Sequence, residues 1–500
     1  MDPDLGWHLQ VGRNIAQAGQ LPTVNYYNYT YTGNWVDHEW LANYLMFKTY
    51  SHFGYMILNV IFSVLVLLTL ILMLVFARRQ VPALKSATAL TAGLIFFGLI
   101  GSLPHMGIRI QEVALLFSLL VLVIINQYER RGNFGWLVLL VPILYLWACL
   151  HASFLFGLVM VFAWVGLKIL EKILVCFRLP VWLDLSQTVD WRKISIFIGF
   201  GLTTLGATML TPYRFSLYSF LFGYRNTFYM WHIQEWLPQY FFPFNYWQLG
   251  YLGLAAAIFG IYVYEVFKNK QRRLKLWPVF LFIFLLAAAL QSHRNFPLFF
   301  VVSFSFLAEM FAALAPKINF DKIGIKTWLA DCLILCLFFL TVSQALKIIP
   351  VNNPFLSFPD IYPQGAVNFL KSNPQYNNAN IFNEYVWGGY LIWMDPDRKL
   401  FIDGRLPQEE LNSHSFLEEY LSFFRADSNE TNKLALYNVR LVLLKAEDKD
   451  IKARPWEKFI FGIKDNELKT NNQLRVYLNA SSDWIKVYQD QTAVIYYKTK

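Results

Sequence analysis

The chain has 500 residues, of which 56% are hydrophobic, 18% aromatic and only 15% charged, with a formal net charge of +10. That balance excludes a soluble multidomain enzyme and fits a polytopic membrane protein. The cations fall in short runs between apolar segments, which is how membrane orientation is encoded, so the charge is not read as a nucleic-acid footprint.

Residues 1–54 precede the first apolar run. They carry Asp2-Pro-Asp4 with Trp7-His8, then Val36-Asp-His-Glu-Trp40. The start is polar and acidic, with no basic segment leading into an apolar core, so no cleavable signal peptide is read there. Ten apolar runs of bilayer-crossing length follow, near 55–76, 86–103, 112–128, 134–150, 153–170, 194–211, 248–267, 275–292, 295–314 and 328–347. Alternating spans place Arg78-Arg79 with Lys85, Arg130-Arg131, Lys168 to Lys193, Lys268 to Lys275 and Lys317 to Lys326 on one side, cytoplasmic by the positive-inside rule. The other side then receives residues 1–54, loop 104–111, the His151 turn, loop 212–247, the His293-Arg294 turn and residues 348–500. A polar N-terminal loop on that side calls for a transmembrane helix before Met1, which is the expectation here.

The 212–247 loop is rich in Trp, Tyr and Phe. It reads as a short interfacial helix with a lid-like connection, or equally as an aromatic belt. From 350 onward the pattern becomes that of a small soluble α/β domain. A helix is expected over 363–371 and short strands at 380–385, 399–403, 439–445, 484–488 and 492–497. The expected organisation is therefore a first extracytoplasmic loop (1–54), a transmembrane helical domain (55–347) and an extracytoplasmic α/β domain (348–500). Cys149, Cys176, Cys332 and Cys336 lie in or beside apolar runs and imply neither disulfides nor zinc. Sequons begin at Asn28, Asn429 and Asn479, a pattern that chance often produces.

The outer side gathers Asp2, Asp4, His8, Asp37, His38, Glu39, His105, Arg109, His151, Arg214, His232, Glu235, His293 and Arg294. Any one of these reads as a headgroup-facing residue; carboxylates, imidazoles and guanidiniums concentrated on one face suggest a site. The mixture suits transfer of a sugar from a phosphate-activated lipid. A carboxylate takes the proton of the attacking hydroxyl, while Arg or His neutralises the leaving phosphate. An Asp-x-Asp pair, Asp2 and Asp4, is also a pattern that holds Mg²⁺ or Mn²⁺ across phosphates, which leaves metal as an open option.

The first loop resembles that of the bacterial GT-C glycosyltransferases, in their protein mannosyltransferase and aminoarabinose transferase branches. The resemblance rests on Asp2-Pro-Asp4, Trp7-His8, Val11-Gly-Arg-Asn-Ile15, Gly19-Gln-Leu-Pro22 and His38-Glu-Trp-Leu41. It implies a multi-pass enzyme of the bacterial plasma membrane, part of the cell-envelope machinery. Such an enzyme is inverting and moves a sugar from a polyprenyl-phosphate donor to a glycan, lipid or protein. Asp4, with His8 and Arg13, matches the family spacing better than Asp2 and would be the base or substrate-orienting acid. His8, His38, Glu39, Arg109, His232, Glu235, His293 and Arg294 would line the substrate. The chain departs from the mannosyltransferases in having Asp-Pro-Asp where they have adjacent Asp-Glu. Its Trp387-Gly-Gly-Tyr-Leu-Ile-Trp393 is only loosely like the Trp-Trp-Asp-Tyr-Gly segment of oligosaccharyltransferases and lacks the Asp. Phe401-Ile-Asp-Gly-Arg405 is a second candidate contact, or a turn in which Asp403 and Arg405 pair for structure. Two other classes stay open: a transporter or flippase of a lipid-linked saccharide, whose ionisable groups belong near midplane, and a non-catalytic polysaccharide-assembly protein.

Overall fold

The computed structural model describes residues 3–81, 88–177, 182–185, 189–223, 228–269, 273–314, 361–411, 414–425, 430–448, 450–464 and 472–499. Asp2, Cys332, Cys336, Asn429, the expected span at 328–347 and the Lys317 to Lys326 connection lie outside them. The chain divides into two compact units: Met1–Leu58 with Ser216–His232 and Pro350–Lys500, and Asn59–Phe215 with Ile233–Ile349.

The second unit is helical. Its core is aromatic: the ring of Tyr251 meets Phe296, Phe299 and Phe300 edge-on at 5.5, 6.1 and 5.7 Å. The neighbouring helix Thr88–Ser102 comes close because Gly98 and Gly101 lack side chains; a β-carbon on either would run into Phe300 or Phe296.

Among the described residues, five helices are long and apolar enough to cross a membrane: Trp40–Gln80, Glu112–Arg131, Phe154–Cys176, Tyr246–Lys268 and His293–Leu314. This corrects the expected ten, and helix length explains most of the difference. Leu276–Gln291 has 16 residues and Leu140–Leu150 only 11. At 1.5 Å per residue these are about 24 and 17 Å, short of a hydrocarbon core of about 30 Å. The apolar run at 134–150 is split at Leu139, between Gly135–Val138 and Leu140–Leu150. Trp191–Thr208 reaches 18 residues but opens with Arg192-Lys193 and is diluted by Thr and Gly.

The first unit is built from both ends of the sequence. Helix α1 spans Leu5–Ala18 and ends on Gly19, whose φ of 65° lets its N–H close on Ile15. Helix α2 spans Trp40–Gln80 and is broken at Gly54, where φ is 76°; only glycine takes such a conformation without strain. The C-terminal part carries β1 (Asn380–Asn383), β2 (Glu410–Leu411), β3 (His414–Ser415), β4 (Val439–Lys445), β5 (Trp484–Gln489) and β6 (Ala493–Lys498). The main sheet has the order β1-β4-β6-β5, with β1 parallel to β4 and the other pairs antiparallel. The helix expected at 363–371 forms as Gln364–Ser372.

The strand expected at 399–403 does not form. Leu400 makes single bridges to Ile381 and Asn28, while the Asn383 side chain accepts from Phe401 N–H (3.0 Å) and donates to the Ile402 carbonyl (2.9 Å). A side chain therefore satisfies backbone groups that a ladder would otherwise pair. The N-terminal loop completes this edge: Leu400 N–H donates to Tyr27 O (2.8 Å), Tyr29 N–H to Leu400 O (3.2 Å) and Thr30 Oγ1 to Phe401 O (2.6 Å).

Candidate active site

In the first unit, the head of α1 is set against the two glycine-bearing segments of the C-terminal part. A β-carbon on Gly6 would strike the Gly389 carbonyl, one on Gly389 would strike the Pro3 carbonyl, and one on Gly404 would strike Asp4 Oδ1. Gly388 packs equally closely on Asp403, 2.6 Å from its Cα to a β-carbon built there. These contacts hold the Asp4 carboxylate on the Asp403-Gly404-Arg405 turn. Asp4 and His8 are one turn apart and so share a face of α1.

Asp403 and Arg405 pair, as one of the two readings of that turn has it. Arg405 donates Nε to Oδ1 (2.9 Å) and Nη2 to Oδ2 (2.7 Å), and both residues are buried. Nη2 also reaches Asn25 Oδ1 (2.9 Å) and Asn28 Oδ1 (3.2 Å). The guanidinium lies over the rings of Tyr27 and Trp35, at 4.5 and 4.6 Å. Its Nη1 is buried and has no hydrogen-bond partner among the described residues. Asn28 is 1% exposed, so the first sequon is a core residue and not a glycan acceptor.

Beside this pair lies a second buried polar group. The Asn43 amide Nδ2 donates to Oδ1 and Oδ2 of Asp37, each at 2.9 Å, and Asp37 Oδ1 also accepts the Glu39 N–H at 3.2 Å. Asn43 Oδ1 is 2.5 Å from His8 Nδ1. Glu39 stands 3.8 Å from the same nitrogen and 3.7 Å from His38 Nε2. His38 stacks on Phe220 at 5.5 Å. Burial pushes the Asp37 carboxyl up to about 6; the Asn43 amide, the Glu39 N–H and the Arg405 charge restrain the shift without cancelling it. Burial also raises the Tyr27 phenol to about 12, against the pull of Arg405. Arg13, the cation of the family-like spacing, lies 4.0 Å over the Trp393 ring.

His232, in the same unit, is exposed and locally engaged, with Nδ1 2.8 Å from Phe228 O and its ring stacked on Phe228 at 3.7 Å.

In the helical unit, Glu235 is clasped by two cations. Arg109 Nη1 donates to Oε2 (3.0 Å) and Arg294 Nη1 to Oε1 (2.8 Å). Burial favours the neutral carboxyl, but the Arg294 and Arg109 charges outweigh it and hold Glu235 below its ordinary value. Arg294 also lies 4.5 Å over the Trp236 ring. His293 Nδ1 is 2.9 Å from Gln248 Oε1, which accepts from Gln239 Nε2 at 2.5 Å, while Gln248 Nε2 donates to Gly101 O at 2.8 Å.

The sequence-derived residues therefore fall into two groups: Asp4, His8, His38 and Glu39 in the first unit, and Arg109, Glu235, His293 and Arg294 in the helical one. Asn43 and Gln248, which hold the histidines, escaped the sequence reading. The available signal was an uncharged amide side chain inside an otherwise apolar helical stretch. Among the described residues no group of three His, Cys, Asp or Glu is arranged to hold a metal ion. Asp403, in the turn against Asp4, is committed to Arg405, and Asp2 of the Asp-x-Asp pattern lies outside the described residues.

No family model and no curated protein matches the sequence. Among solved structures, the apo oligosaccharyltransferase of Archaeoglobus fulgidus is similar at 11% identity, over 89% of this chain and 66% of that one, with a TM-score of 0.49. The same enzyme tethered to an acceptor peptide containing the NVT sequon matches at 12% identity, over 100% and 70%, also at 0.49. The archaeal oligosaccharyltransferase AglB in complex with an inhibitory peptide and a dolichol-phosphate matches at 10%, over 99% and 70%, again at 0.49. Likeness at this level says nothing of chemistry, which rests on the residues above.

Proposed function

We propose that the chain is a membrane glycosyltransferase of the GT-C type, inverting, moving a sugar from a polyprenyl-phosphate donor to a glycan, lipid or protein outside the cytoplasm of a bacterial cell. The observation that carries this reading is the Asp4 carboxylate pressed on the Asp403-Gly404-Arg405 turn, at the head of a helix that also holds buried His8. Asp37, Glu39 and Asp403 are buried within the same unit. Burying carboxylates is costly, and each of these needs a polar neighbour: Arg405 for Asp403, the Asn43 amide for Asp37, and His8 and His38 for Glu39. A fold that needed only stability would replace such groups with apolar residues, whereas an active site needs them.

In the proposed reaction Asp4 orients the acceptor hydroxyl and takes its proton as oxygen attacks the anomeric carbon. As that bond forms, the bond from the anomeric carbon to the phosphate oxygen breaks, and the phosphate leaves with the electron pair on the lipid. Within the helical unit, Arg109 and Arg294 share the Glu235 carboxylate, which fixes the geometry of both guanidiniums.

The test is transfer from polyprenyl-phosphate sugars in proteoliposomes, together with mass spectrometry of lipid that co-purifies with the protein. Asp4→Asn should lower turnover about 10²- to 10⁴-fold, the range of general acid–base catalysis. Full activity in Asp4→Asn would remove the proposed base.

A further inference from the structure

We propose that Asp37 and Asn43 form a buried relay that fixes His8 with its proton on Nδ1 and its lone pair on Nε2, making both of them positioning residues. The use of that lone pair, as an acceptor beside Asp4, rests on the function proposed above; the tautomer itself does not.

Each link in the relay has only one workable polarity. An ionised carboxylate can only accept hydrogen bonds. Both oxygens of Asp37 lie 2.9 Å from Asn43 Nδ2, and Oδ1 accepts the Glu39 N–H as well. Turning the Asn43 amide over would set its oxygen against those two oxygens. With Nδ2 committed to Asp37, Asn43 presents Oδ1 to His8 Nδ1 at 2.5 Å. An oxygen at that distance requires a proton on the ring nitrogen. Glu39 Oε2, 3.8 Å from the same nitrogen, favours that proton too.

Water cannot substitute at these links, because Asn43 is 0%, Asp37 1% and His8 4% exposed. The frame around the relay is also rigid. Asn43 N–H closes on the Glu39 carbonyl at 2.9 Å, and α1 lies so near that a β-carbon on Gly12 would strike the Asn43 carbonyl. The His8 ring packs on Trp7 at 3.7 Å. Free neutral histidine prefers its proton on Nε2, so the relay holds His8 in the minority form. The packing fixes which nitrogen is basic, much as a second partner sets the tautomer of a catalytic or metal-binding histidine.

The test is solid-state NMR of the full-length protein, labelled with ¹⁵N and ¹³C in histidine, in lipid nanodiscs at pH 8. The His8 signal is assigned by its loss in His8→Gln. The expected wild-type spectrum has a protonated Nδ1 and a bare Nε2. Asn43→Leu should move the proton to Nε2. Asn43→Asp, which can share a proton with Asp37 and still offer an oxygen, should retain the wild-type form. A bare Nδ1 or a doubly protonated ring in the wild type overturns the relay, as does an unchanged tautomer in Asn43→Leu. Should that variant fail to fold, the wild-type spectrum decides alone. Wild-type protein with the expected tautomer but no sugar transfer would refute the proposed function and leave the relay standing.

Discussion

Asp37→Asn should make the protein more stable at neutral pH. The wild-type side chain is 1% exposed, and its carboxyl is raised from an ordinary 3.8 to about 6. At 1.36 kcal/mol per tenfold change in proton affinity, ionised Asp37 costs the fold about 3 kcal/mol above pH 6. The sign follows from proton uptake. Between pH 3.8 and 6 the folded chain binds a proton that the unfolded chain has released, so stability falls as pH rises through that window and the cost is absent below it. Asparagine can keep an oxygen at Oδ1 for Asn43 Nδ2 and the Glu39 N–H, but its own Nδ2 replaces the Oδ2 that Asn43 also meets, so the gain is reduced by that one lost hydrogen bond, about 1 kcal/mol. The assay is the thermal midpoint of purified protein followed by tryptophan fluorescence at pH 4.5 and pH 7.5. The variant should unfold several degrees higher at pH 7.5, with the gap closing at pH 4.5. Equal midpoints at pH 7.5, or a less stable variant, would refute the reasoning. Function should move the other way if the carboxylate serves it, as stability and activity often trade at buried polar sites.

Gly404→Ala places a methyl group on the Asp4 carboxylate. Displacing that carboxylate should abolish most sugar transfer while costing about 1–3 kcal/mol of stability, the usual range for overpacking; unchanged turnover would separate Asp4 from the chemistry. Arg405→Met leaves Asp403 buried without its partner, and circular dichroism melts should show a loss of about 3–5 kcal/mol. Double substitution with Asp403→Leu should recover much of it. Glu235→Gln removes the carboxylate that two arginines share, at a cost of about 1.5–3 kcal/mol. Because Glu235 is held below its ordinary value, the wild type should lose that stabilisation as pH falls through the acid range, and the variant should show no such step.

Local patterns were legible in the sequence where a single period or turn decides them. Alternation revealed β1, β4, β5 and β6, and Pro363 announced the helix that follows it. Asp4 and His8 stood out only by the family-like spacing; that they share a face of α1 is seen in the structure. Hydropathy failed on span number because it counts apolar residues and not unbroken helix, so the split at Leu139 was invisible to it. It also could not show that Asn383 would occupy the backbone groups of Phe401 and Ile402 and leave residues 399–403 without a ladder. The partners of the histidines were hidden for a related reason. Asn43 and Gln248 carry no charge and match no motif, and their importance arises only when burial removes water from around them. Asp403 and Arg405 were named as a pair, but nothing in the sequence places them against Asp4, some 400 residues earlier.

The hydrogen bond from Thr30 to Phe401 joins positions 371 residues apart in the chain. At a synthesis rate of about 5–20 residues per second, the N-terminal loop waits roughly 20–70 seconds for that partner to be made. Throughout that interval Asp4, Asn25 and Asn28 have neither the glycine turn nor the arginine they will pack against. Contacts this distant in sequence slow folding, so completion of this unit is a late, post-synthetic event. Nascent chains arrested before residue 400 would display an unassembled acidic loop, open to proteases and chaperones that the finished protein shuts out.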